Sequence, residues 1–113
     1  MSVTPAAAVP ATGDDRFVAD VLESELPVLV DFWAPWCPPC RAMRPLLAEL
    51  DAQRDDLRVY SLNVDEHQAT AIRYAILSMP TFVLFRTGEP VLTLVGARPK
   101  GRLQRELSAV LGD

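Results

Sequence analysis

Trp36-Cys37-Pro38-Pro39-Cys40 joins an apolar run to a stretch with helical hydrophobic spacing, and no other feature limits the fold of this chain so narrowly. The run, Val28 to Phe32, reads VLVDF; its lack of polar alternation predicts a strand covered on both faces. Beyond the prolines, Met43, Leu46, Leu47 and Leu50 recur at i, i+3, i+4 and i+7, which predicts a helix over about Pro39 to Arg54, kinked at Pro45. The cysteines therefore sit at a strand-to-helix junction, where unpaired N–H groups and the positive end of the helix dipole favour an anion. Such positions lower a thiol pKa from about 8.5 towards neutrality, so a useful fraction of Cys37 is thiolate at physiological pH. Two intervening residues on a helical turn bring Cys40 back towards Cys37, close enough to form a disulfide and open it again.

These are the only two cysteines, and with the single histidine, His67, they supply three metal ligands at most. A closed zinc site needs four, so metal is not expected. A disulfide spanning so short a segment restricts the unfolded chain very little, which leaves reactivity as the reason for the pair. The 113 residues suit one domain with a real core. Half the residues are apolar and 23% charged, and 11 Lys plus Arg against 15 Asp plus Glu give a net charge of −4. That balance speaks against disorder and against nucleic-acid binding. No apolar stretch is long enough for a membrane span. Met1 to Gly13 has neither the basic start nor the apolar run of an export signal, and reads as a flexible leader over 1–13 before a single domain at 14–113. The expected address is the cytoplasm, where thiols are kept reduced, and nothing demands more than a monomer.

Elsewhere Phe17, Val18, Val21 and Leu22 predict a first helix over about Asp15 to Ser24, with Asp14 and Asp15 as capping candidates. Leu57 to Val64 reads as a strand, and Asp65 with Gln68 as a capping box for a short helix. Thr81 to Phe85 and Val91 to Val95 read as a hairpin joined by residues 86–90, followed by an amphipathic helix from about Lys100. A weak strand is read over Val9 to Thr12. The alternation of helices and strands predicts a largely parallel sheet covered on both faces and closed by an antiparallel hairpin.

Val30-Asp31-Phe32-Trp33-Ala34-Pro35-Trp36-Cys37-Pro38-Pro39-Cys40, then Pro45, Asn63-Val64-Asp65, Met79-Pro80-Thr81, Gly88 and Val95-Gly96-Ala97 resemble the thioredoxin family in order and spacing, from about Asp14 to Leu111. The resemblance implies the α/β thioredoxin fold, a central mixed sheet of four to five strands flanked by helices on both faces. It implies a general protein dithiol-disulfide oxidoreductase in which Cys37 attacks, Cys40 resolves, and Asp31 is the buried carboxylate that takes or relays the Cys40 proton. Burial should raise the pKa of such an acid. Pro80 resembles the family's cis-proline facing the cysteines, and the backbone of Met79 would pair with an extended substrate segment. Trp36, Pro38, Met79, Pro80, Gly96 and Ala97, with Ile76 and Leu77, would form an apolar collar for substrate, although Ile76, Leu77 and Ala97 suit ordinary packing nearly as well. Trp33 is read as a packing residue. The implied partners are an NADPH-dependent flavin thioredoxin reductase and disulfide-bearing client proteins, with no cofactor bound by the chain itself. Two other activities fit the residues: a protein disulfide oxidant or isomerase, and a redox-silent binding module.

Two positions depart from the family pattern. Pro38-Pro39 replaces the common Gly-Pro and removes a donor near Cys37, with Pro39 expected at the first helical position. Ser61 stands where many members carry a lysine near the buried carboxylate. Arg41 and Arg44, just after the pair, could supply positive potential, although a solvated helix face suits both better, and His67 is read as exposed and incidental.

Overall fold

Strand β1 (Val28–Trp33) has apolar residues on both faces because both faces are covered. In the computed structural model, which describes residues 9–112, β1 is an inner strand of a four-stranded sheet in the order β2-β1-β3-β4. It runs parallel to β2 (Arg58–Asn63) and antiparallel to β3 (Thr81–Arg86), which pairs antiparallel with β4 (Glu89–Val95). The sheet is thus mixed, as the resemblance implied, rather than largely parallel as alternation alone predicted. Alternation fixes the order of elements but not the direction in which a strand returns, and β3 comes back reversed on the far side of β1.

Period-two alternation divides the core. Leu29, Phe82 and Leu84 pack against Met43, Leu47 and Leu50 of α1 (Pro38–Gln53) and Leu103 and Leu107 of α3 (Lys100–Leu111). On the opposite face Val28, Val30, Phe32, Val83 and Phe85 meet Phe17 and Val21 from the N-terminal region, and Tyr74 and Ile76 after α2 (Gln68–Arg73). The rings of Phe17, Tyr74 and Phe85 lie 5.1 to 5.6 Å apart, centroid to centroid. Asp31 therefore belongs, by alternation with Leu29 and Trp33, to the α1 face. α1 continues through Pro45.

The first helix is shorter than predicted, a single π-helical turn over Val18–Leu22 in which the Glu23 N–H reaches back to Val18 O. The wider winding keeps Phe17 and Val21 inward but turns Val18 to solvent. Asp14 does not cap this turn. Its carboxylate instead accepts from the N–H and hydroxyl of Thr70, at 2.9 and 2.6 Å, in the first turn of α2. These bonds hold the Asp14 carboxyl below its ordinary pKa. The capping box at Asp65 is likewise not formed, because α2 starts at Gln68 and its N-cap is His67. His67 is not incidental either: its Nδ1 accepts from the Asp14 N–H at 3.1 Å, and its ring fills the space a Cβ at Gly13 would need.

The weak strand read over Val9 to Thr12 appears as a parallel bridge between Ala11 and Ser61. Ser61 N donates to Pro10 O and Thr12 N to Ser61 O, at 2.9 and 2.8 Å. Of the segment read as a leader, 9–13 packs against β2 and the His67 ring, and 1–8 lies outside the described residues. The hairpin turn is tighter than residues 86–90. Arg86 pairs with Glu89 across Thr87 and Gly88, which take φ of 50° and 81°, and Pro90 enters the edge strand β4 beside a register shift at Leu84/Phe85. A Cβ on Gly88 would lie 3.0 Å from Leu22 O. Gly88→Val is therefore expected to lower stability by about 2 kcal/mol, since a β-branched residue is strained at positive φ. Urea unfolding measures this; an unchanged midpoint would show that the turn can relax.

Candidate active site

Helix α1 begins at Pro38, one residue earlier than predicted, so Pro38 and Pro39 occupy its first two positions and Cys37 is the N-cap, with φ −105° and ψ 102°. Neither position has an intrahelical partner for its N–H, so the prolines cost the helix no hydrogen bond. Cys40 is then the only donor among the first three helical residues. Its N–H reaches Cys37 O at 3.1 Å and Cys37 Sγ at 3.3 Å. An N–H aimed at sulfur at the positive end of a 16-residue helix favours the thiolate of Cys37.

Cys37 and Cys40 form a disulfide, with Cα atoms 5.3 Å apart. They pack with Ala34 against Trp33, Val64 and Met79. Cys37 is 4% exposed and Cys40 1%, so what access there is to sulfur lies on the Cys37 side. Cys37 Sγ is 3.6 Å from Met79 O, and the Met79-Pro80 peptide is cis.

Asp31 is 3% exposed, and its Oδ1 has no hydrogen-bond partner. It lines a cavity of about 210 Å³ with Val9, Trp33, Arg44, Leu47 and Ser61. Burial pushes its pKa up to about 7, against a smaller lowering by the positive charge of Arg44. Trp33 lines the same cavity and packs against the cysteines, so one side chain links the Asp31 cavity to the disulfide. For Arg44 the structure favours the less expected of the two readings, a source of positive potential. Although exposed, it is no plain member of a solvated face: its guanidinium stacks 4.5 Å above the Trp33 ring at the cavity of Asp31. Position 61 carries no cation, and the charge comes from α1 instead of β2. Arg41 donates to Pro35 O at 3.2 Å and ties down the active-site turn.

The expected collar residues lie in three segments. Trp36 is 62% exposed, held at its Nε1 by Asp65 Oδ1 at 3.4 Å, with Pro38 exposed in the next turn. Met79 is half-buried and Pro80 buried beside Cys37. Gly96, at φ 97°, donates its N–H to Pro80 O at 2.8 Å, which brings Gly96 and exposed Ala97 next to the cis bond. Ile76 is not with them; it packs in the core with Phe17 and Phe85. Leu77 is 91% exposed. Sequence reasoning missed the stacking of Arg44 on Trp33, the cavity role of Val9, and also a buried arginine, Arg98, beneath the Gly96 bend. For Val9 and Arg98 no motif gives a signal; for Arg44 the i+4 spacing from Cys40 is one. Among the described residues no group of three His, Cys, Asp or Glu could hold a metal ion.

The thioredoxin family profile matches residues 8–109. A thioredoxin from Streptomyces clavuligerus is 49% identical over 92 residues, covering 81% of this chain and 86% of the relative. A thioredoxin from a Synechocystis species is 48% identical over 105 residues, covering 92% of this chain and 98% of the relative. A bifunctional thioredoxin reductase/thioredoxin from Mycobacterium leprae is 48% identical over 99 residues, which cover 87% of this chain and 22% of that larger protein.

An unfolded Asp loses its proton near 3.8, whereas folded Asp31 keeps it to about 7. Between those values the folded state binds more protons, so this residue makes stability fall as pH rises. Asp31→Asn should remove that fall and be more stable than the parent at about pH 8 by roughly 2 to 4 kcal/mol. Urea titration of both oxidised proteins from about pH 5 to about pH 9 checks it, and parallel curves would contradict it. Arg44→Gln should move the titration of Asp31 further up, readable from its carboxyl NMR signal.

Proposed function

Because the chain belongs to the thioredoxin family and is a dithiol-disulfide oxidoreductase acting through Cys37 and Cys40, we propose that Cys37 is the attacking thiolate, Cys40 the resolving thiol and Asp31 the acceptor of the Cys40 proton. The observation that carries this assignment is the Cys40 N–H directed at Cys37 Sγ at the start of α1. It stabilises negative charge on one sulfur only.

In the first step the Cys37 thiolate attacks one sulfur of a client disulfide; a Cys37–client S–S bond forms, the client S–S bond breaks, and the released client thiolate takes a proton from solvent. In the second, Cys40 gives its proton to the Asp31 carboxylate and attacks Cys37 Sγ. The Cys37–Cys40 bond forms, the mixed disulfide breaks, and the second client thiolate leaves and is protonated. Two electrons pass to the client, and the chain ends in the disulfide form seen here. An acid titrating near 7 suits the second step, because it can be charged before the transfer and neutral after it.

Trp36, Pro38, Met79, Pro80, Gly96 and Ala97 form the client-binding collar in this reading, with Met79 offering its backbone to an extended client segment by strand-like pairing. An NADPH-dependent flavin thioredoxin reductase returns the dithiol. Support comes from the Mycobacterium leprae relative, whose name joins a reductase and a thioredoxin in one chain. No helix among the described residues is long and apolar enough to cross a membrane, and we place the cycle in the cytoplasm, where reducing equivalents of this kind are available.

The roles predict different behaviour for the two cysteines. The parent protein should reduce a model protein disulfide, Cys37→Ser should be inactive, and Cys40→Ser should accumulate covalent mixed disulfides visible on non-reducing gels. Equal trapping by both single variants would remove the assignment.

A further inference from the structure

Burying a cation is costly unless every donor is met and an anion is close. Arg98, whose side chain is 5% exposed, meets that condition in an informative way. Nη1 donates to both carboxylate oxygens of Glu106, each at 2.9 Å. Nη2 donates to Val95 O at 2.7 Å and Gly96 O at 3.2 Å, and Nε donates to Gly96 O at 3.2 Å. One face of the guanidinium fork thus grips α3 and the other grips two successive carbonyls at the end of β4. Those carbonyls belong to the bend whose Gly96 N–H is bonded to Pro80 O, one residue from the Met79 carbonyl that touches Cys37 Sγ.

A backbone bend with a glycine at φ 97° has conformational freedom to lose. Any partner that pairs with such a bend bears the cost of ordering it unless the protein has ordered it already. We propose that Arg98 is a positioning residue for client binding: anchored on Glu106 of α3, it holds the carbonyls of Val95 and Gly96 from inside, so that the Val95–Ala97 bend beside Met79-Pro80 is preformed to receive an extended peptide segment flanking the client disulfide. With the carbonyls turned inward, the bend presents exposed Val95 and Ala97, an apolar surface suited to apolar client side chains next to the disulfide. A lysine at position 98 keeps the stem and charge but lacks the planar fork that joins two carbonyls to a carboxylate. This inference rests on the reading of Gly96 and Ala97 as part of the client collar.

The test compares a folded protein disulfide with a small aromatic disulfide as substrates, since only the first needs the bend. Arg98→Leu should raise KM for the protein substrate about tenfold. Its kcat, and its rate with the small disulfide, should stay within about twofold of the parent. Arg98→Lys should fall between the two, and decides the matter by the same KM comparison should the leucine variant not fold. Ala97→Glu, which blocks the collar without touching the guanidinium, is the control and should raise KM by itself. If Ala97→Glu raises KM and the Arg98 variants do not, the positioning role is wrong while the collar stands. If Ala97→Glu has no effect, the collar reading fails, and the inference with it. Equal losses on both substrates in the Arg98 variants would reveal general damage to the site and also overturn the proposal.

Discussion

The chemistry of this chain depends on a single donor at the start of a helix. Most helices open with several unpaired N–H groups, and an anion at the N-cap shares them. Here Pro38 and Pro39 remove two, and the remaining contact is the Cys40 N–H on Cys37 Sγ. The dipole of α1 still contributes through the aligned peptides of the whole helix. What changes is its local expression. Charge on one sulfur is stabilised by the backbone of the residue that carries the other, so any shift of Cys40 when the disulfide opens is felt by Cys37 directly. The two prolines also fix φ over the turn between the sulfurs, which limits how far such a shift can go.

The fold also places a carboxyl where charge is least tolerated. β1 is covered on both faces, and Asp31 interrupts the apolar row it shares with Leu29. Its unpaired Oδ1 and the small cavity beside it keep the group close to balance between its two states, with burial opposing ionisation and Arg44 partly offsetting that. A residue tuned this way weakens the fold at neutral pH, a recurring compromise between stability and activity. Arg44 reaches this cavity only because α1 packs on the Asp31 face of the sheet and Trp33 provides a flat surface for its guanidinium.

Much of this was legible in the residues. The apolar run VLVDF, the i, i+3, i+4, i+7 rows and the Cys-Pro-Pro-Cys junction gave β1, α1 and α3 nearly as observed, because each signal reports burial directly. Errors arose where several local solutions satisfy the same pattern. Phe17 and Val21 face inward in an α-helix or a π-turn alike, and the difference lies in tertiary contacts with Tyr74 and Phe85. Asp14 and Asp65 both suit capping, but the start of α2 at Gln68 leaves Thr70 N–H to Asp14, 56 residues away in sequence. For Arg44 the weaker of two readings prevailed for a related reason: an exposed residue can still direct its charged end over a neighbouring ring. Arg98 carried no pattern at all, since its significance lies in carbonyls that any residue would supply.

The site also divides along structural lines. In the proposed mechanism proton and electron transfer draw on β1 and α1, through Asp31 and the two cysteines, with Arg44 stacked on Trp33 at the Asp31 cavity. In the same reading client recognition draws on the cis-proline and the bend after β4, through Pro80 and Gly96 with Arg98 and Glu106 beneath them, besides Trp36 and Pro38 at the start of α1. The two groups meet where Met79 O touches Cys37 Sγ and where Met79 packs against the disulfide. Perturbations in separate packed groups tend to add, whereas those sharing a contact do not. On the proposed reading, sequence change in the β4 to α3 bend alters which clients are held while leaving the acidity of Cys37 untouched, and substitutions around Asp31 retune proton transfer without altering the proposed collar. Met79 has no such freedom in this reading, because its carbonyl lies 3.6 Å from Cys37 Sγ and its backbone is the proposed edge for the client.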